Sequence, residues 1–224
     1  IYVESSQEAV DATIQAFRIA EDNKIMLPVM VCLDGFTLSH VYEPVDVPDQ
    51  KSVDKFLPPF KPVFSLDSKP MTMGPIGYPD VFMGFKKIQH EAMVDSLEII
   101  KKANSEFAKV FGRSYGSGLV EPYMLDDAEH VFIGSGTICG TAREIIDKLR
   151  KEGLKVGMLK IRSFRPFPTA EIVEKCKNAK SLLVFDRCIS FGNKGPLFTE
   201  MESAFYSSSQ SAQPRQSPMI HSFI

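Results

Sequence analysis

The chain has 224 residues, 44% of them hydrophobic and 24% charged, with a formal net charge of −2. That is the balance of an ordinary globular protein with enough length for one large domain or two modest ones. The charge gives no footprint for nucleic acid or an anionic membrane, no apolar run approaches a membrane span and no signal peptide is expected, so the predicted location is cytoplasmic.

The first 43 residues read as a helix followed by a strand. Ser5-Ser6-Gln7-Glu8 forms a capping box, in which Ser5 accepts from the first turn and Glu8 reaches back to the cap. Ala9, Thr13, Ala16, Phe17 and Ala20 follow at helical spacing, and Asp22-Asn23 stops the run. The apolar run Met26–Leu33 (MLPVMVCL) then predicts a strand buried on both faces, as in a parallel sheet covered by helices. It leads into Asp34-Gly35-Phe36-Thr37-Leu38-Ser39-His40, and the loop after a strand's carboxyl end is the usual place for chemistry in an α/β sheet.

Residues 44–79 hold eight of the fifteen prolines: Pro44, Pro48, Pro58, Pro59, Pro62, Pro70, Pro75 and Pro79. Such a segment predicts neither a helix nor a central strand, but an extended arm or connector that could drape over a neighbouring subunit. A long helix is expected from about Lys86 to Phe111, with Met93, Leu97, Ile100, Phe107 and Phe111 on one stripe and Gly112 closing it.

From about Glu121 strands and helices alternate. Strands are predicted at His130–Ile133, Val156–Ile161, Ser181–Phe185 and from Met219, with helices at Ala142–Lys151, after a Thr169 cap, and from Pro196 to Phe205. A polar loop is expected over 207–218. This β-α-β alternation means a parallel sheet with right-handed crossovers. The fold class is α/β, with a first unit that is incomplete, a proline-rich arm and a second unit. Ile1 and Ile224 stand at the ends of the sequence without a starting Met, so a longer polypeptide is expected.

Candidate chemistry falls in three places. The turn Gly134-x-Gly136-x-x-x-Gly140 between a strand and a helix has the order of a phosphate-binding loop. A ribose reader would need an acid at the end of the next strand, where Lys160-Ile161-Arg162-Ser163-Phe164-Arg165 stands instead, so packing glycines are the better reading. Asp34, Ser39 and His40 are the candidate catalytic residues of this loop, Asp34 with His40 as an acid/base or metal pair or, more blandly, as loop caps. Arg162, Arg165, Arg187 and Lys194 lie at strand carboxyl ends and suit either an anion pocket or, in preference, ion pairs to a partner subunit. Cys32, Cys139, Cys176 and Cys188 are scattered without a C-x-x-C pair, which predicts buried reduced thiols and neither zinc nor iron–sulfur ligands. No metal-ligand or cofactor-binding residue is assigned.

Several stretches together resemble a known family. "IGSGTICGTAREIIDKLRKEGLKVGMLKIRSFRPFP" is similar to the carboxyl-terminal domain shared by transketolase-type thiamine diphosphate enzymes. "YVESSQEAVDATIQAFRIAE", "VMVCLDGFTLSHVYEPVDVPD" and "SFGNKGPLFTEM" resemble the alpha subunit, or corresponding domains, of pyruvate:ferredoxin oxidoreductase and its 2-oxoacid relatives. The resemblance implies three parts: residues 1–43 as the end of a thiamine diphosphate-binding domain of the pyrimidine type, 44–120 as the connector and long helix, and 121–224 as a transketolase C-terminal-like, three-layer parallel-sheet domain. It implies an enzyme that cleaves a 2-oxoacid, pyruvate first and branched-chain oxoacids or 2-oxoglutarate as alternatives, passing electrons to ferredoxin and the acyl group to coenzyme A. The complete enzyme would carry thiamine diphosphate with Mg2+ and iron–sulfur clusters and act as an oligomer with other subunits or domains. None of these groups is expected to be ligated by this chain, which lacks the Gly-Asp-Gly magnesium motif. The competing readings are the decarboxylating part of a lipoamide-linked dehydrogenase and a non-catalytic assembly module.

Overall fold

The computed structural model describes residues 1–67, 71–209 and 217–224. The expected position of Pro70, and most of the expected polar loop at 207–218, lie outside them.

Helix α1 (Ser6–Ala20) starts where the capping box places it: Ser5 is the N-cap and its hydroxyl accepts from the Glu8 amide at 3.1 Å. The reciprocal bond differs from the expectation. The Glu8 carboxylate accepts from the Glu4 amide at 2.9 Å and is otherwise taken by cations described below.

The run Met26–Leu33 is not a buried strand. It is extended chain with one isolated parallel bridge, Cys32 to Tyr2, flanked by Val3 N–H to Cys32 O at 3.1 Å and Cys32 N–H to Ile1 O at 2.8 Å. Pro28 removes a donor, and a ladder this short leaves Met30 75% exposed, so the apolar composition does not report burial on both faces.

The proline-rich segment contains a helix after all, α2 (Gln50–Phe56). It occupies the proline-free interval between Pro48 and Pro58, capped by the Asp49 carboxylate on the Ser52 amide at 3.0 Å. Its Phe56 packs edge-on against Phe107 and Phe111 of α3 (Pro79–Phe111). Helix α3 begins a full two turns before the expected Lys86, because Pro79 at the first turn fits a helix start. Gly112 closes it in the left-handed conformation, φ 70°. Ile100, Ala103 and Phe107 are buried on its inner stripe, and α1 packs here through Ile19. The first half of α3 holds Val81, Phe82, Met83, Phe85 and Ile88 exposed.

The remaining chain forms one five-stranded sheet, order β1-β3-β2-β4-β5. The strands are β1 (Val120–Tyr123), β2 (His130–Gly134), β3 (Val156–Ile161), β4 (Ser181–Phe185) and β5 (Met219–Phe223). All pairings are parallel except β1 with β3, which is antiparallel. Strand β1 was not expected; Pro122 confines it to an edge, where a missing donor is tolerated.

Helix α4 (Ile138–Lys151) covers one face through Cys139, Ala142 and Ile146 against Met158. Helices α5 (Thr169–Cys176) and α6 (Pro196–Ser209) cover the other, where Val131, Ile133, Leu159, Ile161, Leu182 and Val184 meet Ile172, Leu197 and Met201. This is a three-layer α/β unit. Thr169 is the first residue of α5 rather than its cap, and α6 runs four residues beyond the expected Phe205.

Candidate functional site

The carboxyl end of the parallel strands is where an open α/β sheet ordinarily takes its ligand. Here that end is filled by the chain's own first forty residues, through two clusters of charge.

The first cluster starts from the cap at Ser5, which sets Glu8 one turn into α1. Along β3, Leu159 and Ile161 point to the α5–α6 side, so Lys160 between them points to the other. It is paired across the ladder with Glu121 of β1. Glu8 and Lys160 are each 1% exposed and Arg162 is fully buried. The Glu8 carboxylate lies 2.6 Å from Lys160 Nζ and 2.8 Å from Arg162 Nε. Lys160 also reaches Glu4 at 2.8 Å and Glu121 at 3.3 Å, while Arg143 of α4 pairs with Glu4 and, at 2.9 Å, with Glu121. Arg162 donates further to Gly118 O at 3.0 Å and stacks over Tyr115. Burial opposes the charge on Glu8 and on Lys160, but mutual attraction prevails: the carboxyl is held below its ordinary value and the ammonium above its own.

Beside it, Asp11 of α1 is fully buried and receives Arg113 Nε at 2.7 Å, Arg113 Nη2 at 2.9 Å and the Tyr115 hydroxyl at 2.7 Å. Arg113 also holds Asp46 of the arm at 2.7 Å. Burial, with the bond to Asp11, pushes the Tyr115 hydroxyl far above its ordinary value.

The second cluster answers what the glycine turn holds. Gly136 has φ 73°, and a Cβ there would stand 2.7 Å from the Asp34 carboxylate. One Asp34 oxygen accepts from the Thr137 amide at 2.6 Å and the Thr137 hydroxyl at 2.5 Å, and lies 2.6 Å from Arg187 Nη1. The anion at the start of α4 is thus an aspartate from the same chain. Helix α6 is closed likewise: Asp186 accepts from the Leu197 and Phe198 amides at 2.9 and 3.0 Å.

The candidate residues Asp34, Ser39 and His40 share a loop, but the Asp34 carboxylate is bonded to neither of the other two. Asp34 faces Thr137 and Arg187, whereas the His40 imidazole bonds the Ser39 hydroxyl at 2.7 Å and stacks on Phe36 at 4.8 Å. The four strand-end cations each find a carboxylate within the chain: Arg162 with Glu8, Arg165 with Glu200 at 2.5 Å, Arg187 with Asp34 and Lys194 with Glu202 at 3.6 Å. Of the cysteines, Cys139 and Cys176 are buried, Cys32 is partly exposed and Cys188 is exposed, so uniform burial does not hold.

Sequence reading missed Glu8, Lys160, Thr137 and Arg113 as site residues. A signal existed for one: a lysine inside the otherwise apolar strand VGMLKI must find a carboxylate if the strand is buried. Among the described residues no group of three or more His, Cys, Asp or Glu could hold a metal ion, and no helix is long and apolar enough to cross a membrane. The N-termini of α1, α2, α4 and α6 are each met by a side chain of this chain.

Two family models match. Residues 1–105 match "Pyruvate flavodoxin/ferredoxin oxidoreductase, thiamine diP-bdg", and residues 128–219 match "Pyruvate:ferredoxin oxidoreductase core domain II". Pyruvate synthase subunit PorA of Methanosarcina barkeri is 49% identical over 210 residues, 93% of this chain and 52% of that protein. PorA of Thermotoga maritima is 41% identical over 226 residues, all of this chain and 56% of the relative. Ketoisovalerate oxidoreductase subunit VorA of Pyrococcus abyssi is 41% identical over 207 residues, 92% of this chain and 52% of the relative. The chain spans about half the length of the curated relatives it matches. With one model on either side of the α3–β1 junction and relatives aligned along nearly its whole length, the chain belongs to the pyruvate:ferredoxin oxidoreductase family.

Proposed function

We propose that this chain is part of the alpha subunit of a 2-oxoacid:ferredoxin oxidoreductase, and that the complete enzyme converts pyruvate, coenzyme A and oxidised ferredoxin to acetyl-CoA, carbon dioxide and reduced ferredoxin. The observation that carries it is the 49% identity to a pyruvate synthase subunit across 93% of the chain. In this reading residues 1–43 close the thiamine diphosphate-binding domain, 44–120 form the arm and long helix, and 121–224 form the transketolase C-terminal-like domain. Thiamine diphosphate with Mg2+ and the iron–sulfur clusters are held by other residues of the complete enzyme. Asp34, Ser39 and His40 remain the candidate site loop.

The exposed apolar side chains of the arm and of the first half of α3, Phe82 and Phe85 among them, support a role in subunit assembly, since a monomer rarely leaves such a patch bare. Ferredoxin, coenzyme A and an oligomeric, cytoplasmic enzyme belong to the same proposal.

A second reading has its own support: relatives named ketoisovalerate oxidoreductase match at 40 and 41% identity, level with some of the PorA proteins. A substrate panel on the full-length subunit assembled with its partners decides between them. Acyl-CoA formation is expected with pyruvate at a kcat/KM at least tenfold above that with 3-methyl-2-oxobutanoate or 2-oxoglutarate. The reverse order would replace pyruvate by the branched-chain acid or the diacid.

A further inference from the structure

Asp34 stands where the loop 34–40 meets the start of α4 and the residues after β4. Its carboxylate oxygen gathers three donors from elements more than one hundred residues away: the Thr137 amide, the Thr137 hydroxyl and Arg187. Arg187 in turn donates to the Thr137 hydroxyl at 3.1 Å, so the clasp is closed on itself. Gly136 leaves the room the carboxylate needs, in a left-handed conformation that a side chain would strain.

The residues that follow are tied to this point. Leu38 N–H bonds Asp34 O at 3.1 Å, and Leu38 is buried with Val3 and Ala12. Between these two anchors the loop turns outward. Phe36 takes φ 68° although it is not glycine, its amide donates to Ser39 Oγ at 2.9 Å, and its ring stacks on the His40 imidazole. Phe36 is 77% exposed, so nothing on the solvent side holds this geometry. A non-glycine residue in that region persists only where its surroundings over-determine it.

We propose that Asp34 is a positioning residue: bound by the start of α4 and by Arg187, it sets the conformation in which Ser39 and His40 are presented, so that the second domain fixes the site loop of the first. The kinetic part of this inference rests on the oxidoreductase reading; the structural part does not. Opening the clasp lowers the fraction of molecules with the loop in place, and kcat falls by that fraction while substrate affinity stays.

The test uses the full-length subunit in its complex with Asp34→Ala, Arg187→Ala and the charge-conserving Arg187→Lys. Hydrogen exchange of the segment 34–40 and alkylation of Cys32, two residues before Asp34, are followed with Cys139 and β3 as internal references. Exchange and Cys32 alkylation are expected to rise at least tenfold in both alanine variants with the references unchanged, and to stay near wild type in Arg187→Lys. Oxoacid-dependent kcat is expected to fall at least tenfold in Asp34→Ala with KM within twofold. An unchanged loop in Asp34→Ala overturns the proposal, as does a rise that includes Cys139 and β3, which would make Asp34 a support of the fold only. A loosened loop with unaltered kcat overturns the positioning role as well. If the wild-type complex has no oxoacid-dependent activity, the oxidoreductase reading fails while the exchange data still decide the clasp.

Discussion

The Glu8 carboxylate lies 2.6 Å from the Lys160 ammonium although 152 residues separate them, and both residues are buried. The pair joins the first helix to the third strand, and it is supported on both sides by Arg162, Glu4 and Glu121. Breaking a buried pair from one side is costly because the partner charge is left uncompensated. Glu8→Ala is expected to destabilise the protein by about 3–5 kcal/mol. Urea denaturation checks this, and a Glu8→Ala/Lys160→Ala double variant is expected to lose clearly less than the sum of the two single losses.

The same cluster gives stability a defined pH window. Burial works against the charged form of Glu8, but Lys160 and Arg162 outweigh it and hold the carboxyl below its ordinary 4.5. The unfolded chain therefore binds this proton more readily than the folded one. The Glu8 contribution is present above 4.5 and is lost as pH falls through the lower folded value. For Lys160, burial is likewise outweighed, chiefly by Glu8 and then Glu121 and Glu4, so its contribution is present below 10.5 and lost as pH rises through the higher folded value. Urea midpoints measured against pH are expected to fall on both sides, with the acid limb flattened in Glu8→Ala.

Asp11 and Arg113 set a second link, between α1 and the loop after α3. The bidentate contact at 2.7 and 2.9 Å is a geometry that lysine cannot reproduce. Arg113→Lys is expected to cost about 1–3 kcal/mol, the range for a hydrogen bond to a charged group left unmade. Hydrogen exchange of residues 44–49 is expected to quicken in the same variant, since Arg113 also holds Asp46.

Gly136 and Gly192 separate conformational cost from contact cost. Both have positive φ, 73° and 79°, but only at Gly136 would a Cβ meet another atom, the Asp34 carboxylate. Gly192→Ala is expected to cost about 1 kcal/mol, and Gly136→Ala about twice that or more. Thermal denaturation of both variants checks the ordering, and adding Asp34→Ala to Gly136→Ala is expected to recover part of the excess.

Thiol chemistry follows burial. Burial pushes the Cys176 thiol up to about 12 and the Cys139 thiol higher still, whereas Cys188 is exposed. Among the four cysteines of residues 1–224, Cys188 is expected to be alkylated first and Cys139 and Cys176 only on unfolding, as peptide mapping by mass spectrometry would show.

What was legible in the sequence was what is local. The largely apolar runs of β3 and β4 stand at the expected residues, because strands buried between helix layers are rich in aliphatic side chains. Gly112 marks the end of α3 for the same kind of reason. The run Met26–Leu33 misled because composition reports apolarity and not the presence of a neighbouring strand. Helix α2 was hidden by the prolines around it, although the interval after Asp49 is free of them. At the candidate site, the glycine turn was visible, but its occupant lies one hundred and three residues earlier in the chain. Long-range pairing of this kind leaves no spacing to read: Glu8 stands at the capping-box position, but its carboxylate is taken by the Glu4 amide, Lys160 and Arg162.

The measurement that bears most directly on the function is the choice of electron acceptor by the complete complex. With pyruvate and coenzyme A supplied without oxygen, initial rates of ferredoxin or viologen reduction are expected to depend on both substrates and on added thiamine diphosphate, with no rate on NAD and lipoamide. Turnover on NAD and lipoamide without reduction of ferredoxin would contradict the account.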